Sequence, residues 1–159
     1  MHDAYAVPFE GIASLLEELR SAQVPVAVVT GKGSRSAISL KVLGLEQYFT
    51  LIKPSSAQVP SKDVAILEVL KEWGLMPGEA IYIGDAPTDV LVARKVGCCV
   101  ASVCWASTAQ ANVLEPLHPD TVVHTVAAAE AGHLIVSTRK SKQEDQEAKD
   151  RGARKAEIF

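Results

Sequence analysis

Apolar residues fall at helical spacing near the start of the chain. Ile12, Leu15, Leu16 and Leu19 recur at three- and four-residue intervals, which predicts an amphipathic helix over residues 10–22. The pattern then becomes continuous: Val24-Pro25-Val26-Ala27-Val28-Val29 is a β-branched run of the kind that forms a buried strand. Ser34 or Ser36 can cap a helix that ends at Gly44, and Phe49-Thr50-Leu51-Ile52 is a second short apolar run. Ala65, Ile66, Val69, Leu70 and Trp73 form another helical stripe, closed by Gly74. Residues 80–83 predict a third strand, 88–96 a helix stopped by Gly97, 98–104 a fourth strand and 109–117 a short helix. Val122-Val123 adds a short final strand, and 126–134 a last, alanine-rich helix. Apolar strands alternating with amphipathic helices predict an α/β fold, a parallel sheet covered on both faces.

The pattern stops near Ser137. From Arg139 onward the chain holds 7 of the 16 basic residues and 5 of the 19 acidic ones, so this stretch carries +2 and the remainder −5. Such a composition does not build a core. The expected organisation is one α/β domain over residues 1–136 and a charged tail over 137–159, helical or disordered.

At 159 residues and 48% hydrophobic content, the chain is long enough to bury a continuous core without disulfides. With a net charge of −3, nothing in the balance suggests a nucleic-acid binder or a membrane-surface protein, both of which usually carry a net basic face. No apolar run approaches bilayer length and no leader-like segment opens the chain, so the sequence reads as cytoplasmic. Cys98, Cys99 and Cys104 match neither a zinc-ribbon nor a redox spacing and are expected as buried free thiols. His118, His124 and His133 are scattered and carry no assignment, and Trp73 and Trp105 are expected as core anchors.

Candidate chemistry concentrates where strands end. Ile81-Tyr82-Ile83-Gly84-Asp85 breaks at a glycine and continues Ala86-Pro87-Thr88-Asp89, placing two carboxylates four residues apart. Asp85 at the strand's carboxyl end and Asp89 in the next helix's first turn can both face a hard cation such as Mg²⁺. The same pair also suits plain helix capping. Val28-Val29-Thr30-Gly31-Lys32 ends another strand with a hydroxyl and a glycine whose backbone N–H can cradle a phosphate, or which simply make a turn. Lys62 opens the third helix after Pro60-Ser61, where its ammonium can neutralise phosphate charge or stand solvated. Lys53, beside Pro54, is the alternative cation.

The order hydroxyl, lysine, paired aspartates resembles the haloacid dehalogenase superfamily, in particular its phosphoglycolate phosphatase and pyrophosphatase branch, over roughly residues 8–125. Val103-Cys104-Trp105-Ala106-Ser107-Thr108 and Pro119-Asp120-Thr121-Val122-Val123 are similar to the same branch. The resemblance implies a Rossmann-like three-layer core, Mg²⁺ on Asp85 supported by Asp89, a phosphoryl group held by Thr30 and the Gly31 amide, and charge neutralisation by Lys62. It implies a small phosphorylated metabolite as substrate, with an aspartate attacking phosphorus and water cleaving the aspartyl-phosphate.

One element of that pattern is missing. The family's first motif, a strand ending in Asp-x-Asp-Gly-Thr, occurs nowhere in the sequence, and Asp3 has neither the preceding strand nor the second acid. The cap that reads the substrate has no counterpart either. In the family the first-motif strand lies in mid-sheet, between the strands ending here at Thr30 and Asp85. The core is therefore expected to be incomplete at its N-terminus, its flanking strands closing up or leaving a gap, and hydrolysis to be impaired. The alternative is a non-catalytic truncated protein or a binding module, a homo-oligomer or one completed by a strand-donating partner chain. A nucleotide-binding flavodoxin-like domain finds no support, since no Gly-rich phosphate loop is present.

Overall fold

The computed structural model describes residues 7–31, 33, 35–107, 109–129 and 156–159. Its elements run α1 (Ile12–Ser21), β1 (Val26–Thr30), α2 (Arg35–Val42), β2 (Leu51–Pro54), α3 (Lys62–Trp73), β3 (Ala80–Gly84), α4 (Pro87–Val96), β4 (Cys99–Val103), α5 (Ala111–Leu114), β5 (Thr121–Val123) and β6 (Ala156–Ile158). The strands form one parallel sheet in the order β2-β1-β6-β3-β4-β5. This is the predicted three-layer α/β architecture.

Strand alternation divides the core in two. Ala27, Val29, Tyr82, Val100 and Ile158 point to one face, where Ala65, Ile66, Val69 and Leu70 of α3 and Val90 and Ala93 of α4 cover them. Val26, Ile81, Ile83, Ala101 and Val103 point to the other, against Leu15, Leu16 and Leu19 of α1. Gly74 and Gly97 end α3 and α4 in the left-handed region, at φ 67° and 94°, where a side chain would be strained.

The sheet's centre departs from expectation. Ala156–Ile158, assigned by composition to a charged tail, is a strand seated between β1 and β3, fully buried and parallel to both. Glu157 N–H donates to Pro25 O at 3.0 Å and Phe159 N–H to Ala27 O at 2.9 Å, while Val29 N–H donates to Phe159 O at 2.7 Å. The slot that the resemblance gives to the first-motif strand therefore neither closes nor stays open. Its physical reason is hydrogen bonding: each unpaired backbone group in a buried edge costs about 1–3 kcal/mol, and even a three-residue strand satisfies both neighbours. No strand from a partner chain is needed to fill it.

Other elements shift modestly. The second apolar run pairs over Leu51–Pro54 rather than 49–52, an edge strand ending in a proline that needs no N–H partner. Ser36 lies inside α2, donating its hydroxyl to Gly33 O at 2.8 Å, instead of capping it; Ser34 falls outside the described residues. In place of a helix at 126–134 there is a 3-10 turn at Val126–Ala129, the rest of that range lying outside the described residues. None of the three cysteines forms a disulfide, and of the expected buried thiols only Cys98 is fully buried, Cys99 and Cys104 being half-buried; burial pushes the Cys98 thiol up to about 12.

Candidate phosphate-binding site

Thr30, Gly31 and Lys62, chosen from sequence for their chemistry, line one cleft of about 260 Å³ with Ser55, Pro60 and Ser61. Thr30 closes β1 at the sheet's carboxyl edge, and Lys62 is the first residue of α3, the helix packed beside that strand. The loop after β2 fixes the loop after β1. Ser55 N–H donates to Thr30 O at 2.8 Å and the Ser55 hydroxyl to Gly31 O at 3.0 Å. Hydroxyls, a backbone turn and an ammonium beside a helix N-terminus are anion-recognising groups. Lys32 lies outside the described residues.

The second half of the site hangs on a buried carboxylate. Asp89, in the first turn of α4, keeps only 3% of its surface exposed. Its Oδ1 accepts from Lys62 Nζ at 2.6 Å and from the Tyr82 hydroxyl at 3.2 Å, and its Oδ2 from Ala86 N–H at 3.2 Å. Both oxygens are engaged by donors, so Asp89 anchors Lys62 and closes the α4 N-terminus. Burial, with the charge of Asp89 beside it, pushes the Tyr82 phenol far above its usual range and keeps it a neutral donor.

Gly84 makes this packing feasible. A Cβ built there would meet the Cβ, Cγ and Oδ2 of Asp89, each at 2.5 Å, closer than real carbon contacts allow. Gly84→Ala is therefore expected to push Asp89 off Lys62 and Tyr82 and to lower the thermal midpoint by roughly 5–10 °C, read by circular dichroism. An unchanged midpoint would mean that the turn absorbs the methyl group.

Asp85 stands apart. It is exposed in the turn between β3 and α4, while Thr30 lies two strands away across β6, about 10 Å at ordinary strand spacing. Among the described residues no three His, Cys, Asp or Glu side chains gather as metal ligands. Asp85 suits a hard cation in kind, since Mg²⁺ uses one or two carboxylates and takes its remaining oxygens from water and phosphate. Asp89 has no oxygen left without a donor.

Lys53, the alternative cation, is not at the site. Its Nζ pairs with Glu72 at 3.1 Å and Glu68 at 3.7 Å on α3, and it is absent from the residues lining the cleft. Ser55, Ser61 and Tyr82 were missed from sequence. Ser61, beside the predicted Lys62, was the nearest signal; the placement of Ser55 depends on a loop contact that no local pattern announces. Asp63, next to Lys62, pairs instead with Lys95, which with the Ser61 hydroxyl lowers its carboxyl to about 2. A larger cleft of about 670 Å³, lined by Phe9, Cys104, Trp105 and His124, contains none of the predicted site residues.

Parallel sheet, strand-end threonine, helix-start lysine and Gly-Asp-x-x-x-Asp turn together define a haloacid dehalogenase-like core. The family model for haloacid dehalogenase-like hydrolases matches residues 1–103 of the 159, and the chain belongs to that family. It is similar to a phosphoglycolate phosphatase from Chromobacterium violaceum, 33% identical over 99 residues, which cover 60% of this chain and 44% of that protein. It is also similar to a pyrophosphatase from Bacillus velezensis, 27% identical over 129 residues, covering 79% and 59%. Among solved structures, a haloacid dehalogenase-like hydrolase from Streptococcus pneumoniae superposes with a TM-score of 0.72 at 34% identity, covering 78% of this chain and 59% of that one. The chain spans about half the length of the curated relatives it matches.

Proposed function

We propose that this chain is the phosphate-binding half of a haloacid dehalogenase-like phosphatase: it holds a small phosphorylated metabolite and turns it over poorly or not at all by itself. The observation that carries the reading is the shared cleft of Thr30, Gly31 and Lys62, with Lys62 fixed by the buried Asp89. A phosphoryl group would accept hydrogen bonds from Thr30 and the Gly31 amide and place its charge against the ammonium of Lys62. Asp85 would hold Mg²⁺ at the same sheet edge. The cation's contribution would be to offset the charge of the bound phosphoryl oxygens. The names of its relatives favour phosphoglycolate or pyrophosphate as ligands, and a cytoplasmic setting belongs to the same reading.

The Asp-x-Asp-Gly-Thr motif that supplies the family's nucleophile does not occur in the sequence. At the carboxyl end of the central strand, between Thr30 and Asp85, stands Phe159, which offers no oxygen from its side chain. Purified protein is expected to hydrolyse p-nitrophenyl phosphate no faster than its Asp85→Ala variant, in magnesium. Magnesium-dependent turnover that the substitution abolishes would overturn this part of the proposal.

A further inference from the structure

Glu157 sits in the middle of the sheet with no exposed surface, and neither carboxylate oxygen has a hydrogen-bond partner. Val26 and Ile81 flank it in register on β1 and β3, and their face packs under Leu15, Leu16 and Leu19 of α1. No cation of those elements reaches it. On α1, Arg20 pairs with Glu17 at 2.6 Å near the surface and stacks over Tyr48, and Glu18 is exposed. Among the described residues, Cys99 of β4 and Tyr48 are the other titratable side chains packed on this face, and neither carries a positive charge. An unpaired carboxylate there would be isolated in an apolar layer, so the neutral acid is strongly favoured. The strand that carries it is only three residues long and is joined to the rest of the fold through residues 130–155.

We propose that β6 is a releasable central strand, seated between β1 and β3 while the Glu157 side chain is protonated and leaving the slot when that side chain ionises. The inference stands whether or not the chain binds phosphate. Burial alone raises the Glu157 carboxyl from 4.5 to about 7. In the released strand it titrates near 4.5, so between 4.5 and 7 each pH unit eases release about tenfold, and outside that window the equilibrium is flat. The strand is thus most firmly held in mild acid and least firmly held at neutral pH and above.

Amide hydrogen exchange on the full chain tests this, with protection factors corrected for the intrinsic pH dependence of exchange. The informative amides are those of Glu157 and Phe159, with Val29, which bonds to Phe159 O. Their protection is expected to fall on the order of a hundredfold from pH 5 to pH 7, while β4 amides bonded to β3 keep theirs. E157Q, which cannot ionise, should hold protection constant over that range; E157L, which removes the polar group, should do the same should the amide fold poorly. Flat protection in the wild type, an undiminished fall in both variants, or a parallel loss in β4 would overturn the proposal.

Discussion

Replacing Asp89 with alanine is expected to cost about 3 kcal/mol of folding stability, although the residue looks from sequence like a helix-start acid of modest worth. The size follows from what it leaves behind. Tyr82 is 1% exposed, and its hydroxyl donates to Asp89. Without Asp89 that phenol keeps a buried donor with no acceptor from this side chain, and Ala86 N–H loses its cap. Lys62 would suffer least, since its side chain is 35% exposed and can turn to water. Denaturant unfolding measures the loss, and Asp89→Asn should recover part of it, because an amide oxygen still accepts from one or two donors. A cost below about 1 kcal/mol for the alanine variant would mean that water replaces the carboxylate readily.

The second large effect has the opposite sign. Glu157→Leu is expected to stabilise the protein by on the order of 3 kcal/mol at pH 8 relative to pH 5, by removing a buried acid rather than adding a contact. Because its folded value is raised to about 7 from 4.5, the acid imposes no ionisation cost below 4.5. The cost grows by about 1.4 kcal/mol per pH unit through the window and is full above 7. Asp63, lowered to about 2, works the other way, its contribution being lost only as pH falls from 3.8 towards 2, and it cancels in a comparison of the two proteins. Urea unfolding at pH 5 and pH 8 gives both differences. A gain equal at the two pH values would mean that Glu157 finds a partner.

Much of this was legible in residue order. Leu15, Leu16 and Leu19, and Ile66, Val69 and Leu70, announced which helix faces would be buried, because helical spacing allows one stripe to reach the sheet. Thr30, Gly31 and Lys62 could be picked out because strand ends and helix starts are where an α/β sheet gathers side chains. The pairing of Lys62 with Asp89 was not legible, since residues 27 positions apart meet through the packing of α3 on α4. The centre of the sheet was hidden for a different reason. Ala156-Glu157-Ile158-Phe159 does alternate, but a glutamate at the inward position and a run of charges before it match the pattern of a solvated tail. Only the unfilled hydrogen bonds of β1 and β3 give those residues their place.

Whether Thr30, Gly31 and Lys62 form one anion site is decided by titrating labelled protein with inorganic phosphate and magnesium and following amide chemical shifts. Saturable shifts centred on Thr30, Gly31 and Lys62 are expected, with a Kd of roughly millimolar, and their loss in Lys62→Ala. An absence of shifts at those residues up to about ten times that concentration, or equal shifts in Lys62→Ala, would contradict such a site.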